Sequence, residues 1–318
     1  MRLWSGLFVT ALLAGCSGLP PKEDLPRAPA RVDWARWPGG GEVGEVSAVD
    51  VDRHGHAFVL HRPGRDWAEP FPSKPIPAPV VAMFDHSGTL LAQWAGGETV
   101  MPHGLSVAPD DSVWITDAQR EQLLHFSHDG ALLETRGERG VAGSDANHFG
   151  RPTDVAATPR ALYVADGYLN HRILRLADNV TQWSEDNGTA AGLHIPHSVA
   201  VAGGRVIVAD REYSRIKIYD ETGRVLRIIP TPGHPYAAKP LGDGRILSIE
   251  GRDGIGREGA VLRLWSAEGK QLSALDVAPA GGTTRAHDLA IGSDGTIYIA
   301  DVPGRRVLTV PLATLTKG

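Results

Sequence analysis

Cysteine is almost absent. The single thiol in 318 residues is Cys16, so no disulfide within the chain supports the fold. Neither sign of charge dominates: the formal net charge is −5, which gives no basic surface of the kind nucleic acid requires. The apolar stretch from Leu3 to Ala14 is shorter than the roughly 20 residues of a membrane-spanning helix. Helix-forming runs are scarce, whereas 38 glycines and 23 prolines punctuate short β-rich stretches, as in all-β proteins. With 42% hydrophobic residues the chain is long enough for a large core and one or two domains.

One short phrase recurs. It reads Pro102-His103-Gly104-Leu105, then Pro196-His197-Ser198-Val199, then Ala286-His287-Asp288-Leu289, at nearly equal and long spacing. Each histidine opens an apolar, strand-like run. Around these phrases the chain divides into six units. A unit opens with an apolar strand, turns into a second strand ending at or near an acid, and continues into a third aliphatic strand. The second strands are clearest: Ala57 to Arg62, Val113 to Asp117, Leu162 to Asp166, Val206 to Asp210, Arg245 to Glu250 and Thr296 to Asp301. The turns DHSG, SHDG, DETG and SAEG come after the third strand in four units and suit tight hairpins into a fourth. Units of roughly 40–50 residues with four short antiparallel strands predict an all-β fold, a six-bladed β-propeller. The stretch near Val32-Trp34 is expected to complete the last blade. Two connections are long, Pro63 to Pro79 and Arg136 to Pro152, and long loops on a rigid scaffold tend to carry function.

The histidines open units two, four and six, and first strands line the channel of a propeller. Three imidazoles a third of a turn apart therefore converge on the axis, a His₃ set with an open fourth position, as in catalytic zinc sites. The matching positions of the odd units hold Ser47, Thr153 and Tyr236, poor zinc ligands. The alternative is a repeated histidine that fills the channel and hydrogen-bonds there. Asp117, Asp166, Asp210 and Asp301 read as structural, capping turns or joining blades. The residues at and just beyond the second-strand ends vary between units: Arg62 ends that strand in unit one, Gly167-Tyr168 comes after it in unit three, and Arg211 in unit four. Two guanidiniums and a phenol near a metal suit a small anionic substrate. A phenol close to cations is expected to have a lowered pKa and to act as a base. Taken singly, each is also compatible with an ordinary surface loop.

The N-terminus reads separately. Met1-Arg2 is a short basic start, and Leu13-Ala14-Gly15-Cys16 resembles the lipobox of bacterial lipoproteins, in which the cysteine becomes the lipidated first residue. Residues 1–16 are thus expected to be a lipoprotein signal peptide, 17–30 a proline-rich extended tether, and 31–314 the propeller. Ser17 after the cysteine favours, in that family, the periplasmic face of the outer membrane, with the lipid as the only membrane contact. An ordinary cleaved signal peptide with an incidental cysteine is the other reading.

The motifs PHGLSV, AGSDANHF, RPTDVA, VADGY, HRI, IPHSVAV, VADREYSRI, AHDLAI and DGTIYIAD, with VSAVDVD, HR and Trp67 in the first unit, closely resemble the lyase domain of peptidylglycine α-amidating enzymes. The resemblance spans about residues 30–312 and is weak only around unit five. It implies cleavage of a peptidyl-α-hydroxyglycine into an amide and glyoxylate. It also implies a zinc on His103, His197 and His287, a catalytic Tyr168 that takes the hydroxyl proton, and active-site Arg62 and Arg211. A structural calcium is implied as well, with the Asp288 side chain and the Val49 and Leu105 carbonyls as ligands, an oxygen-only set that suits calcium. The family's animal members carry two disulfides. The matching positions here are Gly150 with Leu169 and Ile207 with Ile218, and both pairs are lost together.

The copper monooxygenase domain that makes the hydroxyglycine is not in this sequence, so a separate monooxygenase is the expected supplier. The chain itself is expected to be a monomer acting on a small α-hydroxyglycine-type substrate. Competing readings are a lyase on a related carbinolamide such as ureidoglycolate, or a non-catalytic, lipid-anchored propeller scaffold.

Overall fold

The computed structural model describes residues 23–38, 42–177, 192–251, 259–279 and 284–316. Six antiparallel sheets stand in a ring as blades. Blade one is β1 (Glu45–Val51), β2 (Ala57–Arg62), β3 (Val81–Phe84) and β4 (Leu90–Trp94). Blade two is β5 (Pro102–Val107), β6 (Val113–Asp117), β7 (Gln122–Phe126) and β8 (Leu132–Arg136). Blade three is β9 (Asp154–Ala157), β10 (Leu162–Asp166) and β11 (Arg172–Leu176). Blade four is β12 (Pro196–Ala202), β13 (Arg205–Asp210), β14 (Arg215–Asp220) and β15 (Val225–Pro230). Blade five is β16 (His234–Pro240), β17 (Ile246–Gly251), β18 (Val261–Trp265) and β19 (Gln271–Asp276). Blade six is β20 (Ala286–Ile291), β21 (Thr296–Asp301) and β22 (Arg306–Pro311).

The second strands are apolar on both faces because each is buried on both faces. In β13, Val206 and Val208 pack toward blade three, and Ile207 and Ala209 toward blade five. The same alternation around the ring gives six apolar clusters, one between each pair of neighbouring blades. The first strands touch their neighbours in order and line the axis.

The four turn motifs lie where expected, between third and fourth strands. Their glycines, Gly88, Gly130, Gly223 and Gly269, all have φ between 83° and 90°, a conformation that side chains disfavour. Blades three and six have three strands each among the described residues; the stretch after β11, where a fourth strand of blade three is expected, lies outside them. In blade six the fourth place is taken from the other end of the chain: Arg31 exchanges both backbone hydrogen bonds with Thr309 of β22. Trp34 then wedges between blades six and one, against Tyr298 and Phe84. The ring therefore closes by non-neighbouring segments, as the sequence suggested.

Part of the expected tether is docked. Ala28 N–H donates to the Asp276 carbonyl, Asp276 N–H donates to the Pro26 carbonyl, and Glu23 pairs with Arg263 at 2.5 Å. Pro26 and Pro29 favour an extended backbone here, and an extended segment fits a sheet edge. Cys16 and the signal segment lie outside the described residues.

The acids ending the second strands act structurally. Asp117 accepts from the N–H groups of Val100, Met101, Gln119 and Arg120. Asp166, Asp210 and Asp301 each take a backbone N–H from the segment before their blade and a guanidinium from their third strand. Blade five keeps the device with Glu250, which holds Gly233 N–H and Arg263.

Candidate metal centre and active site

Five of the six first strands carry a bulge where they enter the channel. The pairing register slips at Ser47, at His103-Gly104, at His197, at Tyr236 and at His287. A bulge re-aims a side chain and releases a backbone carbonyl from the ladder. Both effects are used. His103 Nδ1–H donates to the Thr153 carbonyl at 2.7 Å, His197 Nδ1–H to the Tyr236 carbonyl at 2.8 Å, and His287 Nδ1–H to the Ser47 carbonyl at 2.6 Å. Each even blade is thus oriented by the matching residue of the next odd blade. With every Nδ1 committed, every Nε2 carries a lone pair.

The three rings converge, with centroids 4.6 to 5.0 Å apart. One nitrogen from each lies within 4.8 Å of the others. Burial lowers the pKa of His103 to about 3, with Arg62 and Arg211 adding to the effect, and holds His197 and His287 well below the usual range. All three are neutral at pH 7, the form that binds a metal. The Nε2 of His197 is buried without a hydrogen-bond partner. An orphaned acceptor among three convergent imidazoles, each fixed through its other nitrogen, fits a bound metal ion.

The expected polar residues gather above this triad. Tyr168, two residues beyond β10, places its hydroxyl 2.9 Å from His103 Nε2. Arg211 lies over the rings of Tyr168 and Tyr236, at 5.6 and 5.3 Å. Arg62 is fully buried, donates to Glu45 Oε2 at 2.7 Å and to the Pro102 carbonyl, and sits 5.3 Å from the Trp67 ring. The Pro63–Pro79 connection brings Trp67 across the mouth, 5.2 Å from His103 and 5.4 Å from Tyr168. It is anchored by Trp67 N–H on Glu45 and by Asp66 on Arg305. The Arg136–Pro152 connection packs instead on Asp166 and Arg172, away from the triad.

Two sequence readings need correction. The Tyr168 pKa is raised, not lowered: burial outweighs the opposing charges of Arg211, Arg62 and Arg285. Sequence shows those charges but not the loss of water. The guanidiniums are also less available than expected, because Arg62 is paired with Glu45, and Arg211 with Glu212 at 2.8 Å.

The Asp288 side chain, the one side-chain ligand implied for calcium, is already engaged. Asp288 Oδ2 accepts Val49 N–H at 3.2 Å, while Leu105 lies on neighbouring β5 with its side chain in the core between blades one and two. Asp288 Oδ1 faces the ammonium of Lys239, 3.7 Å away. Lys239 projects from β16 into the channel and also feels Asp154 and Asp50; burial works to lower its pKa, but the three carboxylates raise it. The ammonium supplies a cation beside the one carboxylate a calcium would need.

Sequence reasoning missed Arg285, Glu45, Glu212 and Lys239. Arg285 lines a cavity of about 160 Å³ with Arg62, Trp67, Tyr168, Arg211 and His287. A second metal-capable group also escaped notice. Asp52, His56 and His128 meet at the opposite mouth, both imidazoles on Asp52 Oδ2, at 2.9 and 3.2 Å.

The NHL-repeat family model matches residues 193–219, which span the first three strands of blade four. Rat peptidylglycine alpha-amidating monooxygenase is 31% identical over 300 residues, covering 83% of this chain and 30% of that protein. A probable peptidyl-alpha-hydroxyglycine alpha-amidating lyase of Caenorhabditis elegans is 28% identical, covering 85% of this chain and 83% of its own length. Human NHL repeat-containing protein 3 is 35% identical over 166 residues, 46% of this chain. The chain spans about 30% of the length of the mammalian amidating monooxygenases it matches. A streptogramin B lyase structure superposes with a TM-score of 0.59 at 13% identity, covering 88% of this chain and 96% of that one, a likeness of fold. By sequence and architecture together, the chain belongs with the peptidyl-α-hydroxyglycine α-amidating lyases, as a six-bladed propeller of NHL type.

Proposed function

We propose that the chain is a zinc-dependent carbon–nitrogen lyase that splits a peptidyl- or N-acyl-α-hydroxyglycine into an amide and glyoxylate. The observation that carries this reading is the triad: three neutral imidazoles, each fixed through Nδ1, with His197 Nε2 orphaned and the Tyr168 hydroxyl alongside. A zinc ion held there by His103, His197 and His287 would supply Lewis acidity toward the carbinolamide oxygen and positive charge that favours a phenolate.

The reaction needs little else. The carbinolamide hydroxyl loses its proton, its oxygen forms the aldehyde carbonyl of glyoxylate, the C–N pair moves to nitrogen, and nitrogen takes a proton. Tyr168 receives the hydroxyl proton, and the same phenol is placed to return one to the leaving amide. Arg62 and Arg211 flank the phenol and favour its anionic form. Trp67 covers the mouth and excludes water from the carbinolamide. The cavity of about 160 Å³ suits the hydroxyglycine end of a substrate, with the acyl or peptide part outside.

The enzyme would work in the cell envelope, held through a lipidated Cys16 to the periplasmic face of the outer membrane. It would act as a monomer on hydroxyglycines made by a separate monooxygenase. The relationship to an NHL repeat-containing protein not named as an enzyme favours one other reading, a propeller scaffold.

Glyoxylate release from α-hydroxyhippurate by the zinc-loaded protein tests the proposal. Tyr168→Phe should lower turnover by about 10²–10⁴-fold, with zinc content and melting point unchanged. No glyoxylate from zinc-loaded wild type, with this or any other α-hydroxyglycine, would leave the scaffold reading standing.

A further inference from the structure

The proposed substrate carries a carboxylate that must enter a buried cavity. The two arginines expected from the sequence are poorly placed to meet it alone. Arg62 spends its charge on Glu45, whose other contact is Trp67 N–H, and Arg211 spends its charge on Glu212. Each is a cation with its counter-ion already beside it.

Arg285 differs. It sits immediately before β20, two residues before His287, and lines the same cavity. Its backbone is fixed at both ends of the residue: its N–H donates to Asp301 Oδ1, and its carbonyl accepts Val302 N–H. Its side chain has no carboxylate partner among the described residues, and its Nε is buried without a hydrogen bond. Arg62 Nε is buried and unpartnered in the same way, on a side chain 1% exposed. Two buried guanidinium N–H groups without acceptors thus border one cavity. Leaving such donors unmade is costly, and a ligand oxygen would satisfy them. The charges agree: with Arg62 against Glu45 and Arg211 against Glu212, no carboxylate among the described residues compensates the charge of Arg285.

We infer that Arg285 is the specificity residue that takes the substrate's carboxylate, together with the free Nε–H of Arg62. This rests on the lyase reading and deepens it: the substrate class is narrowed to free acids, which are preferred over esters or amides of the same hydroxyglycine. A planar guanidinium offers a carboxylate paired donors, which a lysine cannot reproduce. Arg285 needs no part in the bond cleavage, since the proton transfers stay with Tyr168.

The test compares wild type, Arg285→Gln and Arg285→Lys on α-hydroxyhippurate and its uncharged methyl ester. Calorimetric binding of hippurate, which lacks the hydroxyl and does not react, runs beside it. A charge-assisted hydrogen bond lost at a buried site corresponds to about 10–100-fold in affinity. Arg285→Gln should therefore raise KM for the acid and weaken hippurate binding by that factor, with kcat nearly unchanged. It should also erase the wild-type preference for acid over ester, and Arg285→Lys should fall between. Hippurate binding within twofold of wild type in folded Arg285→Gln would overturn the assignment, as would an equal loss on the ester. Because hippurate binding needs no turnover, Arg285 is tested even if wild type releases no glyoxylate.

Discussion

Replacing Lys239 by serine should turn a self-contained channel into a calcium-dependent one. In the wild type the ammonium lies 3.7 Å from Asp288 and within the field of Asp154 and Asp50, all of them on strands that line the axis. Removing one partner of a buried ion pair costs about 3–5 kcal/mol. The Lys239 side chain is still 16% exposed, toward the lower mouth where Asp50 also lies, so a smaller loss of about 2–3 kcal/mol is appropriate. At roughly 2–4 °C per kcal/mol for a domain near this size, the melting point should drop by about 5–10 °C in the presence of a calcium chelator. Calcium at about a hundredfold over its Kd would return about 2.7 kcal/mol, enough to reverse most of that drop. Lys239→Arg keeps the charge and should need no calcium. The assay is thermal melting of each protein with chelator and with added calcium, beside elemental analysis. If wild type loses stability when calcium is chelated, or holds one calcium per chain, the ammonium is not the channel's cation. Melting of Lys239→Ser at the wild-type temperature in chelator would equally refute the reasoning.

The same geometry sets other outcomes. His197→Ala removes one of three ligands, and should abolish stoichiometric zinc in elemental analysis while the apolar clusters keep the fold melting cooperatively. At the opposite mouth, burial works to lower the His128 pKa, but hydrogen bonds to Asp129 and Asp52 raise it overall. Its contribution to stability is therefore complete below about pH 6.5, the unfolded value, and is lost as pH rises through the folded one. Asp52 behaves oppositely: burial raises its pKa, yet His56 N–H, His128 and His56 lower it overall, so its share is lost only as pH falls below about 3.9. His128→Gln should flatten the change in melting point between about pH 6 and 8; an unchanged slope would place the effect elsewhere. Cys16→Ser should leave the precursor unprocessed or free of the membrane on fractionation, and unchanged attachment would count against lipidation.

The architecture was legible because each blade repeats a complete instruction. A second strand such as Val206-Ile207-Val208-Ala209 is apolar at every position since both its faces meet another blade, and Asp210 then marks its end. The DHSG, SHDG, DETG and SAEG turns mark the four blades whose fourth strand is seen among the described residues. The histidines were legible for a related reason: a residue on every second first strand has one meeting point. Spacing could not show the bulge that turns each ring inward and lends its neighbour a carbonyl.

The residues that escaped are those whose meaning depends on partners. Across the six units, the position two before the channel residue holds Glu45, Met101, Arg151, Ile195, His234 and Arg285. The position three after it holds Asp50, Ser106, Ala156, Ala200, Lys239 and Ala290. In each column the charges were visible, but their roles were not. Glu45 and Arg285 lie in the same column on neighbouring blades, and they divide the labour of the mouth: one neutralises Arg62, the other leaves a cation over. Lys239 faces acids contributed by blades one, three and six, which no local pattern could bring together. Tyr168 shows the same limit from the other side. Its cationic neighbours were foreseen, yet burial, which sequence does not show, outweighs them and raises its pKa. A repeat makes positions comparable, and comparison finds the departures. Only the closed ring sets those departures against one another, and here, among the described residues, it leaves one guanidinium without a carboxylate above the triad and one ammonium among carboxylates below it.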